Sequence, residues 1–513
     1  MDTVVSGPTD SRTDRSFRSL VVAELRRALD APAGDTVLTD TVPTDIVRSD
    51  PEELDAVRTD RSGWIADGVP IALVEARTVE HVQATLRTCS RLGVPVVPRG
   101  AGTGLAGGAN GTDGSVVLSV ARMDRILEVS VEDELAVVEP GVLNGTLNAA
   151  VAEHGLRFAP DPASAAIASV GGNIATNAGG LRCVKYGVTR EAVLGLDVVL
   201  ADGRLVRTGR RTVKGVTGLD LTALMVGSEG TLGVIVGATV RLVPIPAGEP
   251  ATLGAVFPTV HQAAAASAAI VAAGAGGAPR PSTVELLDAA SLAAIADLLG
   301  PSVVTETVGL AGGAVGGDAP AGGQGPAGGP GSAGGVFLLV EYDGVGATEA
   351  ASGAVPLLQA AGGTVRLAGS AAERDRLLTI RRSFHAAMTA RGRVLIEDVA
   401  VPRSRLAEMF DRVEAIGREF DVEIPTVAHA GDGNLHPNFV FDGEVVPQKV
   451  WDAADALFRA AVELGGTLTG EHGVGVLKRH HLGDEVGEDV LELQRGIRRV
   501  FDPAGILNPG KVF

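Results

Sequence analysis

The chain has 513 residues, with 62 Asp and Glu against 44 Lys and Arg and a formal net charge of −18, which argues against nucleic acid and anionic membrane as main partners. Two cysteines, Cys89 and Cys183, build neither a disulfide framework nor an iron–sulfur cluster, and the polar N-terminus carries no apolar leader. No apolar run approaches the roughly 20 residues of a membrane span, so a cytoplasmic protein is expected, with peripheral membrane association left open.

In chain order, residues 1 to about 16 read as a tail, and the spacing of Phe17, Leu20, Val21 and Leu25 predicts a helix over Phe17–Leu29. A second helix is expected from Thr78 to Leu92, with Val79, Val82, Leu86 and Cys89 on one face and Gly93 as its stop. A short strand, Val94–Pro98, feeds a glycine-rich loop from Arg99 to Gly114, followed by β-like runs at Ser115–Val120 and Leu135–Glu139. A helix follows at Val142–His154. Asp202-Gly203 between Leu196–Ala201 and Arg204–Thr208 is a hairpin signal, and Val234–Val243 reads as a closing strand before prolines 244, 246 and 250.

Beyond that boundary strands and helices alternate: Thr252–Phe257, His261–Ala273, Thr283–Leu287, Ala289–Leu299, Val336–Tyr342 and a helix around Ala371–Thr389. This reads as an α+β domain laid over the first. Residues 309–335, with 13 glycines, form a low-complexity insert unable to bury a core. The expected boundaries are a tail and helix over 1–35, a first domain over 36–246, a second over 247–465, and a closing segment, 466–513, that returns to the first.

Glycine is abundant, 69 residues against a usual share of about 7%. Gly102-Thr103-Gly104-Leu105-Ala106-Gly107 matches the dinucleotide pattern G-x-G-x-x-G. A Rossmann site needs that loop to open into a helix. Here it runs into more glycine and then a strand, so the pattern fails on context. What remains is a nest of backbone N–H groups that can hold phosphate. Two further segments share the character: Pro160–Gly187, with Gly171-Gly172-Asn173 and Asn177-Ala178-Gly179-Gly180, and Val226–Ile235, VGSEGTLGVI.

The sharpest chemistry lies in TVAHAGDGNLHPNF. If Asp432-Gly433 forms a two-residue type I′ turn, His429 stands opposite His436 and Val427 opposite Asn438, all on one face. Two imidazoles so placed can bind one divalent metal, with Asn438 beside the substrate. TGEHGVGVLKR adds Glu471 and His472; two histidines and a carboxylate are a common set for zinc or a related ion that keeps positions open. The other histidines lack such context.

The segments PRGAGTGLAGGA, SVGGNIATNAGGLRCVKYG, GSEGTLGVI and the terminal DPAGILNPGKVF resemble the vanillyl-alcohol oxidase/p-cresol methylhydroxylase superfamily. The likeness is to its branch of glycolate oxidase flavin subunits, D-lactate dehydrogenases and D-2-hydroxyglutarate dehydrogenases, over nearly the whole chain. It implies a two-part α+β FAD-binding domain of the p-cresol methylhydroxylase type with an antiparallel α+β cap. It implies that Arg99, Gly100, Ala101, Gly102, Thr103, Gly104 and Gly107 hold the FAD pyrophosphate. Asp161, Ser164, Gly171, Gly172, Asn173, Thr176 and Gly180 would line the rest, with Ile235 near the adenine. Thr103 stands where covalently flavinylated relatives often have histidine, which implies non-covalent FAD.

The resemblance also places metal ligands, zinc or manganese, on His429, His436 and Glu471, a general base on His472, and a substrate-carboxylate arginine on Arg381. Hydroxyglutarate-specific relatives carry a lysine where this chain has Ile396, which favours a smaller anionic 2-hydroxy acid such as D-lactate or glycolate. The expected reaction is FAD-dependent oxidation of that acid to the 2-oxo acid. The electron acceptor stays open among a partner iron–sulfur subunit, a quinone, an electron-transfer flavoprotein and a cytochrome. A homodimer or a complex subunit is expected. The rivals are an NAD-dependent dehydrogenase, a metal hydrolase, D-2-hydroxyglutarate oxidation, and a non-catalytic flavin subunit.

Overall fold

A computed structural model describes residues 14–30, 46–308 and 335–513. The expected tail over 1–16 and the insert over 309–335 lie almost wholly outside the described residues. The chain forms two compact units. The first runs to Ala178 and adds Val188–Ile245 and Glu471–Phe513; the second combines Gly179–Gly187 with Pro246–Gly470.

The first unit contains two sheets. One has four strands in the spatial order Val47–Arg48, Ala72–Glu75, Val116–Ser119, Val96–Arg99, of which the last three run parallel. Both its connections from strand to parallel strand are long, and the helix Val79–Leu92 supplies one of them. That helix starts where the Thr78 hydroxyl accepts the His81 N–H and stops at left-handed Gly93. Its Val82, Leu86 and Cys89 are fully buried. The first helix covers Arg15–Asp30, two residues earlier than its apolar spacing began, because Arg15 and Ser16 belong to its solvated first turn.

The second sheet is antiparallel, ordered Ile126–Ser130, Leu135–Val138, Val234–Arg241, Val193–Val199, Leu205–Gly209. Ile126–Ser130 was not foreseen. Its residues are half-buried or exposed, so no apolar alternation announces it. The hairpin at Asp202-Gly203 forms with one residue more in its loop than expected: the Leu200 N–H donates to the Arg204 carbonyl, and Gly203 takes φ +82°. Val170–Thr176, expected as glycine loop, is a short helix capped by the Ser169 hydroxyl on the Gly172 N–H. The cap outweighs two interior glycines.

The second unit is built on one antiparallel sheet ordered Thr364–Leu367, Ala251–Phe257, Val336–Tyr342, Thr283–Leu287, Thr426–His429, Asn434–Phe441, Arg393–Ile396, with Val399–Ala400 also pairing to Asn434–Phe441. Helices Val260–Ala273, Ala347–Ala360, Leu406–Phe420 and Gln448–Glu463 bury alanine, leucine and phenylalanine faces in its main core. On the other side Ala289–Leu299 packs with Leu377, Ile380, Phe384 and Met388. The helix expected over Ala371–Thr389 is two, Ala371–Arg382 and Phe384–Arg391, divided at Ser383.

Burial pushes the Cys89 thiol up to about 12, whereas Cys183 is only half-buried. With an aromatic disulfide reagent at pH 8 the native protein should show one reactive thiol per chain and the denatured protein two. Two fast thiols before denaturation would contradict this packing of the Val79–Leu92 helix.

Candidate active site

In the first unit, the glycine segments converge through close backbone contacts. Gly100 backs onto Ser169 and Gly172: a Cβ there would lie 2.7 Å from the Ser169 Oγ. Gly171 is pressed on Pro140 and Gly107 on the Trp64 ring, and Gly102 and Gly107 sit at φ +71° and +74°. A cavity of about 250 Å³ opens here, lined by Ala101, Ala121, Asp124, Gly141, Leu143, Thr146 and Ser169. The Asn173 Nδ2 is buried with no hydrogen-bond partner among the described residues. A cradle of small residues with an orphaned amide donor fits a large planar ligand with polar edges.

The expected contact residues take different parts. Arg99 donates to the carbonyls of Ala109 (3.0 Å) and Thr59 (3.0 Å), so its guanidinium braces the glycine loop from beneath. Thr103 and Gly104 are half-buried in that loop, and the Gly104 carbonyl accepts the Arg61 N–H. Ser164 accepts the Ile167 and Ala168 N–H groups through its carbonyl, in the stretch that also carries Asp161. The Thr176 hydroxyl bonds back to the Gly172 carbonyl. Ile235 lies half-buried on the strand Val234–Arg241, opposite Val198. Gly180 belongs to the second unit, where its N–H donates to the Cys183 Sγ. There the following residues are tied down: the Lys185 ammonium and Tyr186 hydroxyl both bond the Asp343 carboxylate.

Two residues of this region escaped the sequence reading. Asp60 accepts the Gly107 N–H at 2.9 Å, and burial raises its carboxyl above the usual range. Gly141 is ringed by the carbonyls of Met123, Ala121 and Val120, each within 2.7 Å of where a Cβ would stand. Its sequence surroundings, EPGV, carry no dinucleotide-like pattern.

The His472 segment also belongs to the first unit. Glu229, at φ +49° in GSEG, accepts the N–H groups of Val474 (2.7 Å) and Gly475 (2.8 Å). Burial pushes its carboxyl up to about 7 against the pull of those bonds and of Lys478 and Lys511.

In the second unit, the histidine hairpin forms in a register two residues from the expected one. His429 stands opposite Asn434, and His436 opposite Val427. The loop takes four residues, because the Ala430 carbonyl is drawn to the Ser267 hydroxyl and the Gly431 N–H to the Val284 carbonyl. Gly433 alone takes positive φ, +94°, whereas a type I′ turn needs it at both central residues. A shift of two preserves the face. His429 and His436 therefore still share it, buried, with ring centroids 4.9 Å apart and planes at 80°. Asn438 follows on that face, opposite Ile396, its amide donating to the His436 carbonyl.

A carboxylate that the sequence reading missed organises this cluster. Glu285 is fully buried on Thr283–Leu287, the strand beside His429. Its Oε1 lies 2.6 Å from the His429 Nδ1, and its Oε2 accepts from the Arg381 Nε at 2.6 Å. The Nδ1 proton is thereby placed toward Glu285, leaving Nε2 as the lone-pair nitrogen. An acid in the apolar run TVELL was the available signal. The buried Asn434 amide has no partner for either polar atom among the described residues. Asp398 holds the Thr469 hydroxyl (2.9 Å) and the Gly470 N–H (2.7 Å), and Gly470 is packed against Asn434. Glu471 is the next residue along the chain. These donors fit a divalent cation: two imidazoles, one oriented by a carboxylate, with an unsatisfied amide beside them.

Residues 70–209 match the model of an FAD binding domain, and residues 249–512 that of the FAD linked oxidases, C-terminal domain. The chain belongs to the FAD-linked oxidase family. It is 38% identical over 451 residues to the glycolate oxidase subunit GlcD of Bacillus subtilis, covering 87% of this chain and 89% of that one. It is 35% identical over 442 residues to a D-lactate dehydrogenase of Archaeoglobus fulgidus, covering 86% and 90%. The structure of p-cresol methylhydroxylase with substrate bound superposes at a TM-score of 0.71 and 17% identity, over 97% of each chain. The fold is thus the FAD-binding α+β domain of the p-cresol methylhydroxylase type with an antiparallel-sheet cap. The protein is an FAD-linked oxidoreductase of the 2-hydroxy-acid branch. Among the described residues no helix is long and apolar enough to cross a membrane.

Gly141→Ala should lower flavin content sharply, since three carbonyls would have to give way at a cost of about 1–3 kcal/mol. Flavin absorbance of the purified variant checks this, and full flavin content would contradict the placement of the cavity. Glu285→Gln should weaken zinc or manganese binding about 10- to 100-fold by loosening His429. Direct metal titration of the purified protein measures it.

Proposed function

We propose that the protein oxidises a small 2-hydroxy acid, D-lactate or glycolate by preference, to the 2-oxo acid. The observation that carries this reading is the chain from half-buried Arg381 through buried Glu285 to His429, ending at the His429–His436 pair. FAD, when bound, supplies the hydride acceptor, and a divalent ion, zinc or manganese, supplies a Lewis acid for the substrate hydroxyl. The ion would be held by His429 and His436 with Glu471, residue types suited to it. Glu471 follows directly on Gly470, which Asp398 fixes.

The chain's own groups then divide the work. Arg381 keeps Glu285 with its Nε and offers its remaining guanidinium nitrogens to the substrate carboxylate. His472 takes the proton that leaves the hydroxyl. Asn438 lines the same face as the histidines and orients the substrate. Ile396, paired with Asn438, sets an apolar side chain where a second carboxylate would need a cation, which supports a smaller acid over D-2-hydroxyglutarate. Thr103 in the glycine loop supports non-covalent FAD. Relatives named as subunits support a place in a complex with an electron-accepting partner, such as an iron–sulfur subunit. A quinone, an electron-transfer flavoprotein and a cytochrome are the other acceptor classes. A scaffold role without catalysis is disfavoured by the intact His429, His436, Glu471 and His472 set.

Under anaerobic conditions D-lactate or glycolate should bleach the flavin spectrum, and His472→Ala should retain FAD yet lose the fast bleaching by about 10²–10⁴-fold. Bleaching at the original rate in that variant would sink the assigned base. Bleaching by D-2-hydroxyglutarate alone would replace the substrate assignment.

A further inference from the structure

The first unit contains a buried polar node that the reaction does not itself use. The Glu229 carboxylate receives two consecutive backbone N–H groups, Val474 on Oε1 and Gly475 on Oε2. The same residue's carbonyl accepts the Asn508 side-chain amide at 2.7 Å, and that amide also donates to the Gly108 carbonyl at 3.0 Å. Lys511, fully buried, donates to the Asn110 carbonyl at 2.6 Å, and the Val512 N–H donates to the Gly475 carbonyl.

The segment after His472 has no slack around this node. Gly473, at φ +87°, would carry a Cβ 3.0 Å from the Glu229 carboxyl carbon. Gly475, at φ +53°, would carry one 2.0 Å from the Ala106 carbonyl, which itself accepts the Val476 N–H. Glycine at both positions lets the backbone lie flat on Glu229 and on the glycine loop. Two bonds to one carboxylate fix both position and direction of a peptide, as a single bond does not.

We propose that Glu229 is a positioning residue for His472, locking the segment that carries the imidazole onto the glycine loop that holds the flavin phosphates. The proposal rests on His472 being the base. An imidazole two residues from a doubly bonded peptide inherits its register, and a shift of about 1 Å at a reacting group costs up to about 100-fold in rate. The ammonium groups of Lys478 and Lys511, with the two N–H bonds, offset part of the burial cost of this carboxylate.

Glu229→Gln keeps the shape but replaces one acceptor with a donor that faces an N–H. It should retain FAD, slow anaerobic flavin reduction by D-lactate about 10- to 100-fold, and change KM by less than about threefold. Amide hydrogen exchange at Val474 and Gly475, read without substrate, should accelerate at least about tenfold. In a His472→Ala background the same change should add nothing further to the loss. If His472→Ala alone reduces at full rate, the base assignment fails. If His472→Ala is slow while Glu229→Gln reduces and exchanges like the parent, the positioning role fails alone. Glu229→Asp, which keeps the charge but withdraws it by one methylene, should reproduce the rate loss. If neither variant binds FAD, Glu229 is a general fold element and the proposal is overturned.

Discussion

A single buried acid, Glu285, is the constraint on which the candidate metal site depends. A carboxylate in the middle of an apolar sheet is tolerated only when its oxygens are bonded and its charge is met. Arg381 and His429 meet both conditions, one oxygen each. The same bonds that make the acid tolerable also decide which imidazole nitrogen keeps its lone pair and where the guanidinium sits. Removing one partner would leave an uncompensated buried charge, at a cost of about 3–5 kcal/mol. Stability of the sheet and orientation of the chemistry are therefore the same interaction seen twice.

Around that centre the architecture supplies rigidity without much specificity. Thr283–Leu287 pairs on both sides, with Val336–Tyr342 and with Thr426–His429, so neither Glu285 nor His429 lies on an edge. The first unit works by a different principle. It holds almost no charged side chain toward its cavity and relies on backbone brought close by glycine, with Asp60 and Arg99 tightening the loop from behind. The glycine segments of the first unit present backbone N–H groups, and the second unit holds an imidazole pair oriented by a buried carboxylate.

The glycine excess that marks the composition has thus separated into causes. Part of it is the stretch over 309–335, almost wholly beyond the described residues. Another part meets rigid neighbours: Gly141 inside three carbonyls, Gly171 on Pro140, Gly475 on the Ala106 carbonyl. The helix Val79–Leu92 was readable because its apolar periodicity and its caps agree, and Thr283–Leu287 because a short apolar run fits a buried strand. Ile126–Ser130 was not, since a half-exposed strand has no apolar signature. The hairpin register was misread because tertiary bonds from Ser267 and to Val284 lengthened its loop, which local turn chemistry cannot reveal. The shared face of His429 and His436 was legible regardless, because a two-residue slip leaves strand parity unchanged. Glu285, Asp60 and Glu229 act through partners about 47 to 246 positions away, so spacing could not assign them.

The most direct measurement is anomalous diffraction from crystals of the protein loaded with zinc or manganese. One peak is expected on the His429–His436 face, about 2.0–2.2 Å from an imidazole nitrogen of each. The His429 contact should be through Nε2, with Nδ1 still on Glu285. No peak at that face, in protein whose flavin D-lactate nonetheless bleaches in the presence of chelator, would contradict it.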